Sequence, residues 1–171
     1  MFPRKGCAAG AAALCLAAVS LTGCTDPTDS GTPPPGTADS HRIPLTVVER
    51  AGQTIVLVPV TIEGEGPFTF LLDTGASSSA VDDDVARDLD LPGTGERRPI
   101  SGVVGTDRVP VVEMRDWAAG EVPLDDVEAS VVDLPEGRGV QRVQGLLGSD
   151  ALSGLGRITI DYDNEVLLAP R

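Results

Sequence analysis

From residue 41 onward, short runs with apolar residues at alternate positions dominate the chain, and this pattern predicts strands. The first two runs cover 43–48 and 54–62, and Pro59 within the second favours an edge strand or a bulge. A third run at 68–72 follows a turn signal rich in glycine and proline. The pattern therefore predicts a mainly β domain.

The pattern changes twice to helical spacing. Residues 82–89 carry apolar residues on one face behind an acidic first turn, which predicts a short amphipathic helix. A second short helix is predicted to begin at Ser149 or Asp150, either of which could cap it, and to end at Gly156. The fold class is thus all-β with one or two short helices.

The remaining segments complete this expectation. Residues 97–100 and 108–114 predict a β-hairpin with glycines near its tip, and 117–120 is interpreted as a connector. Strands are predicted at 122–124 and 127–132, and a final hairpin at 157–162 and 166–168.

Composition narrows the possible functions. Residues 41–171 form one domain's worth of chain, and the net charge of -13 opposes binding to nucleic acid or to an anionic surface. The single histidine, His41, lies at the edge of the domain, and all three cysteines precede it. A Ser-His pair and a zinc site are therefore not expected. Cap and dipole effects explain the run Asp82-Asp83-Asp84 more simply than a cation site, so we expect no metal and no cofactor.

The N-terminus has the features of an export signal. Basic Arg4 and Lys5 precede a short apolar run, and Leu21-Thr22-Gly23-Cys24 resembles the bacterial lipobox. The apolar run is too short to span a bilayer comfortably. Residues 1–23 are thus predicted to be a lipoprotein signal peptide that is removed, leaving Cys24 as the single thiol and the lipidated first residue. Residues 24–40 then form a disordered tether rich in Pro, Gly, Ser and Thr, which places the protein outside the cytoplasm, anchored to a bacterial membrane.

The strand at 68–72 ends in Asp73, Thr74 and Gly75, which places a carboxylate at the tip of a tight turn. Backbone N–H groups in such a turn can point at the Asp73 oxygens and keep them ionised. As a bare tripeptide Asp-Thr-Gly is an ordinary turn sequence. It becomes informative together with the small residues that follow it and with the later run Leu146-Leu147-Gly148.

This constellation resembles the pepsin-like and retropepsin-like aspartic proteases, and the length favours the single-lobed retropepsin-like group, in its bacterial form. The resemblance implies a closed β-barrel that forms one acid-protease half, and a hairpin flap over a bound peptide. The roles that it implies are catalysis by Asp73, support of the active loop by Thr74, Gly75 and Ala76, a flap at Gly102, Val103, Val104 and Gly105, and packing under the loop by Leu146, Leu147 and Gly148.

Hydrolysis of an amide by carboxylates requires two of them in contact, and this domain offers one candidate. Asp150 and Asp161 do not lie on strand-to-glycine loops, so helix capping and a strand-end turn are expected of them instead. A homodimer with Asp73 from each chain at its two-fold axis is therefore required for activity.

The first hypothesis is thus an aspartic endopeptidase acting on peptide or protein substrates. The alternatives are a catalytically inactive lipoprotein that binds a peptide or protein partner in the cell envelope, and an envelope scaffold.

Overall fold

The computed structural model describes residues 40–50, 52–102, 105–134 and 141–171. The predicted signal peptide, Cys24, nearly all of the tether, and the flap residues Val103 and Val104 lie outside these ranges. Within them the chain is mainly β, as predicted, with two short α-helices, α1 (Asp83–Asp88) and α2 (Ser149–Leu152), and a 3-10 turn at Ser153–Leu155. The strands are β1 (Ser40–Pro44), β2 (Thr46–Arg50), β3 (Gln53–Ile62), β4 (Glu65–Leu72), β5 (Ala80–Asp82), β6 (Gly93–Gly102), β7 (Gly105–Met114), β8 (Trp117–Ala119), β9 (Val122–Pro123), β10 (Val127–Val132), β11 (Gly145–Leu147), β12 (Thr159–Asp161) and β13 (Val166–Pro170).

A small three-stranded sheet joins the two ends of the domain in the order β1-β13-β12. Ser40 is paired with Pro170 at one end of the antiparallel β1–β13 ladder. The prediction of one continuous strand at 43–48 is wrong, because the chain changes sheets at Leu45. That residue is buried, and its N–H donates to the carbonyl of Glu165 over 2.8 Å, while β2 continues into the other sheet.

The large sheet has ten strands, nine of them in the order β6-β7-β10-β5-β11-β4-β3-β8-β9, with β2 paired to β3 beside this path. Strand β11 lies at its centre, parallel to β4 and antiparallel to β5. A strand from a distant part of the sequence thus lies between the strand that leads to Asp73 and the strand that follows its loop.

The expected closed barrel is wrong, since among the described residues no ladder joins the two ends of this path, β6 and β9. Strand β9 has two residues and ends at Pro123, which has no N–H with which to extend the sheet.

Pro59 occupies a local edge inside an otherwise paired strand. Strand β2 pairs with β3 as far as Leu57, and β8 begins to pair at Val60, so Pro59 lies between the two ladders, where its carbonyl accepts the N–H of Gly120 over 2.8 Å. A register irregularity follows between Val60 and Ile62. Both features that the proline predicted are thus present.

The predicted connector at 117–120 is instead the strand β8, which pairs with β3. Its first residue, Trp117, is 2% exposed, and its indole N–H donates to the carbonyl of Asp125 over 2.8 Å. Because the ring is buried and its N–H is hydrogen-bonded, Trp117 stabilises the fold, which a residue in an exposed connector would not do.

The hydrophobic core draws on both sheets and both helices. It includes Ile43 of the small sheet, Phe70 and Leu147 of the large sheet, Val85 of α1 and Leu152 of α2. Among the described residues, no helix combines the length and apolar character needed to cross a membrane.

Candidate active site

Asp73 follows the last residue of β4 and lies at the start of a tight loop. Its backbone N–H donates to the carbonyl of Leu147 over 3.0 Å, which fixes where the loop leaves the sheet. The N–H of Gly75 donates to Asp73 Oδ1 over 2.9 Å, and the N–H of Ala76 donates to the Asp73 carbonyl over 3.3 Å. A backbone N–H thus orients the Asp73 carboxylate, and the residue stays partly exposed.

The segment from Leu147 to Asp150 holds the other limb of the loop. Ser149 donates to the carbonyl of Ala76 twice, from its N–H over 2.8 Å and from its hydroxyl over 2.9 Å. Gly148 donates its N–H to the hydroxyl oxygen of Ser79 over 3.1 Å. The loop between Asp73 and Ser79 is therefore anchored at both ends by one short stretch of chain.

Gly148 lies where no larger residue fits. A Cβ built on it would come within 2.7 Å of the carbonyl carbon of Ser78, which is backbone and cannot swing aside. The glycine of Leu146-Leu147-Gly148 thus lets the start of α2 press directly on the active loop. Leu147 is fully buried beside it, and Leu146 is paired with Leu71 on one side and Ala80 on the other.

Asp150 does not cap α2, and this prediction is wrong. The N-cap position is Gly148, so neither Ser149 nor Asp150 occupies it, although Asp150 Oδ1 accepts the first-turn N–H of Ala151 over 2.9 Å. Asp150 Oδ2 instead accepts the N–H of Ser79 over 2.8 Å, and Asp150 Oδ1 accepts the Ser79 hydroxyl over 2.7 Å.

Sequence reasoning missed this contact between Asp150 and Ser79. The available signal was the serine run at 77–79, because a hydroxyl carried into the core requires a polar partner.

The face of the protein at Asp73 is an open groove of about 340 Å³. Thr74 at its rim is exposed, and so is Tyr162, which at 52% exposure is the large apolar side chain most open to solvent among the described residues. The groove is lined by Gln53, Thr54, Ile55, Val56, Leu71, Leu72, Asp73, Thr74, Ile160 and Tyr162.

The acidic run at the start of α1 is occupied by other contacts. Asp82 is fully buried and accepts from the Arg142 guanidinium over 2.9 Å and from the Leu134 N–H over 3.2 Å. The hydrogen bond from Arg142 is the largest cause of a lowered pKa at Asp84, and a second bond from Arg87 adds to it. Carboxylate oxygens of Asp82, Asp83 and Asp84 lie within 4.8 Å of one another, and the guanidinium groups neutralise that concentration of charge.

Asp161 has the strand-end role that was predicted for it. Its two oxygens accept the N–H and the side-chain amide of Asn164 over 3.0 and 2.8 Å. These bonds are the main cause of its lowered pKa.

The predicted flap is the β6–β7 hairpin, in which Gly102 is paired with Gly105. The structure thus brings Asp73, Gly75, Leu147 and Gly148 together, and it places Gly102 and Gly105, the two glycines predicted for the flap, at the end of a separate hairpin.

Two of three comparisons relate this chain to known proteins. A family described as aspartyl protease matches residues 58–151, which include the Asp73 loop and the Leu146-Leu147-Gly148 run. A comparison with curated protein sequences finds no match. Among solved structures, the chain is similar to a retropepsin-like aspartic protease from Rickettsia conorii, with 17% sequence identity and a TM-score of 0.47 over 77% of this chain and 93% of that chain.

Proposed function

The chain belongs to the aspartyl protease family, and on this premise we propose that it is an aspartic endopeptidase that acts as a homodimer. Each chain contributes one Asp73, and the two carboxylates meet at the two-fold axis. The observation that carries the proposal is the loop itself, in which the Gly75 N–H holds a partly exposed Asp73 carboxylate in one orientation.

The chemistry follows from the pairing of two carboxylates. Two such groups in contact cannot both ionise, so the pair holds one proton between them. The ionised carboxylate takes a proton from a water molecule whose oxygen attacks the peptide carbonyl, while the protonated carboxyl donates to the carbonyl oxygen. Collapse of the tetrahedral intermediate breaks the C–N bond, and the amine leaves with a proton from the pair.

The groove beside Asp73 supports a site that a second copy completes. Thr74 and Tyr162 are exposed there although one is the neighbour of the catalytic acid and the other is aromatic. The nearby strand β12 pairs with β13 on one edge only, as far as the described residues extend. An exposed aromatic side chain next to an available strand edge is a suitable surface for association with an identical chain.

The substrate class is an extended peptide or an unfolded protein segment. Such a segment would lie in the cleft between the two Asp73 loops and the flaps, and would pair with backbone as an added strand.

The experiment is cleavage of a diverse peptide mixture by the domain from residue 25 onward, at acidic to neutral pH and at concentrations that drive dimerisation. Asp73→Asn tests the acid, and Asp83→Asn is the matched control because the Asp83 side chain is 42% exposed and bonds to Arg87. Cleavage by the wild type and the control alone supports the proposal. Equal cleavage by Asp73→Asn contradicts it.

A protein that stays monomeric and cleaves nothing would favour the alternative function, a lipoprotein that binds a peptide or protein partner. Equilibrium sedimentation over a range of concentrations separates this result from a dimer too weak to form in dilute solution.

The anchor is a proposal from the sequence alone: cleavage before Cys24, lipidation of that thiol, and attachment to the outer side of a bacterial membrane. Lipid labelling of the full chain tests it, with Cys24→Ala against the control Cys15→Ala. Label lost only with Cys24→Ala is the expected result, and equal label in both variants would overturn it.

A further inference from the structure

Asp150 and Ser79 form a buried contact that the proposed chemistry does not use. Ser79 is 0% exposed, and both of its donors, the N–H and the hydroxyl, point at the two oxygens of Asp150. The hydroxyl oxygen also accepts the N–H of Gly148, so the serine has a donor and an acceptor role at once. Asp150 Oδ1 accepts in addition the N–H of Ala151, over 2.9 Å.

This contact closes the far end of the active loop. Asp73 is anchored at the near end by the carbonyl of Leu147, and Ser79 at the far end by the side chain of Asp150. The carbonyl of Ser79 is bonded further to the N–H of Ser130, over 3.1 Å, which ties the same point to β10. The loop that carries Asp73 is therefore held at its far end by a carboxylate that comes from another part of the chain.

We infer that Asp150 is a positioning residue for the proposed reaction: it acts through Ser79 to hold Asp73 where the carboxylate of a second chain can meet it. The inference rests on the proposed function. A charged acceptor suits this task, because hydrogen bonds to a carboxylate are stronger than those to a neutral oxygen and resist displacement by water. A small shift of the loop would separate two carboxylates that must share one proton, and a misplacement of about 1 Å can lower a rate about 100-fold.

The test compares Asp150→Ala and Asp150→Asn with the same changes at Asp84. Asp84 is a close match, because each aspartate is the second residue of a short helix, yet Asp84 bonds to arginines and not to the active loop. Asparagine at position 150 can still accept the Ser79 N–H and approach the hydroxyl with its amide.

With a peptide that the wild type cleaves, Asp150→Ala should lower kcat by about 10- to 100-fold and leave KM within about twofold. Asp150→Asn should recover part of the loss, and both Asp84 variants should match the wild type. An unchanged kcat in Asp150→Ala, an equal fall in Asp84→Ala, or a fall explained by the unfolded fraction in thermal melts would each overturn the inference.

Amide hydrogen exchange at Gly75 and Ala76 separates this inference from the proposed function. If the wild type cleaves nothing, the proposed function fails, and exchange alone decides whether Asp150 positions the loop. We expect exchange at these two amides to accelerate at least about tenfold in Asp150→Ala and not in Asp84→Ala. Unchanged exchange at both amides would overturn the inference; should Asp150→Ala fail to fold, the same comparison is made with Asp150→Asn and Asp84→Asn.

Discussion

Asp73 and Asp82 occupy similar places in the sheet and have opposite surroundings. Each lies at the C-terminal end of a strand, and each donates its backbone N–H over 3.0 Å to the segment around β11, Asp73 to Leu147 and Asp82 to Gln144. The Asp82 carboxylate is fully buried against Arg142, whereas Asp73 is partly exposed and accepts one backbone N–H. The backbone position is thus shared, and the groups around the side chain decide whether a strand-end aspartate serves the fold or is available for chemistry.

The largest effect on activity is expected from a substitution of Asp73. Asp73→Asn should reduce kcat/KM by more than about 1,000-fold, because the pair loses the group that accepts a proton from water. Thermal unfolding should remain near that of the wild type, since Asp73 is partly exposed and asparagine can still accept the Gly75 N–H. Peptide cleavage and calorimetry on the same sample check both statements, and a large loss of stability would show that the two aspartates are alike after all.

The reverse result is expected for Asp82. Asp82→Ala should lower the free energy of unfolding by about 2–3 kcal/mol, because Arg142 and the Leu134 N–H lose a buried acceptor. This value is reduced from that of a fully buried ion pair because the Arg142 side chain is 38% exposed and keeps Asp84. Denaturant titration gives the stability, while kcat per folded molecule should stay within about twofold of the wild type. A loss of kcat without a loss of stability would contradict the structural role of Asp82.

Gly148→Ala should disturb the loop that carries Asp73 and leave the surroundings of Asp82 unchanged. The added methyl would meet backbone of Ser78, which we expect to cost about 1–2 kcal/mol of stability and to lower kcat. Gly93→Ala is the matched control, since a Cβ there has no neighbour within 4 Å. Melting curves and cleavage rates of the two variants test this prediction. Equal stability and equal kcat in both variants would show that the close contact between Gly148 and Ser78 is not required.

The smallest effect is expected at Asp84. Its pKa is lowered from the ordinary value of 3.8, first by the hydrogen bond from Arg142. A pKa that is lower in the folded state stabilises the protein at pH values above the unfolded pKa, and the contribution disappears as the pH falls through the lowered value. Asp84→Asn should therefore lower Tm slightly at about pH 6, and the difference from the wild type should shrink as the pH falls below the ordinary pKa of the carboxyl group. A difference that grew on acidification would contradict this sign.

The sequence predicted the elements whose local pattern is strong. The loop at Asp73, the helix at Asp83–Asp88 and the β6–β7 hairpin all follow from short-range signals of apolar spacing, acidic first turns and glycine. The changes of partner could not be predicted this way. At Leu45 the chain leaves one sheet for the other, and this change is set by the pairing of β1 with β13 at the other end of the domain and of β2 with β3.

The contacts in the candidate active site likewise divide into local ones, which the sequence predicted, and long-range ones, which it did not. Asp73 and Gly75 are neighbours in sequence, so their contact was accessible to prediction. The bond between Ser79 and Asp150 spans 71 positions, and the local pattern predicted only a capping role for Asp150 at the start of α2. Long-range polar contacts are specified by topology, which a pattern of apolar residues indicates only in outline.

The pairing of β1 with β13 has a practical consequence. Since Ser40 and Pro170 are partners across one ladder, a short glycine linker could join them and make the domain a closed ring of chain. New ends could then be cut at the exposed turn of Glu63 and Gly64, between β3 and β4. Such a circular permutant would keep every strand of the large sheet while moving the point of attachment to another surface. The domain could thus be immobilised or fused in either of two orientations, with the Asp73 loop intact in both.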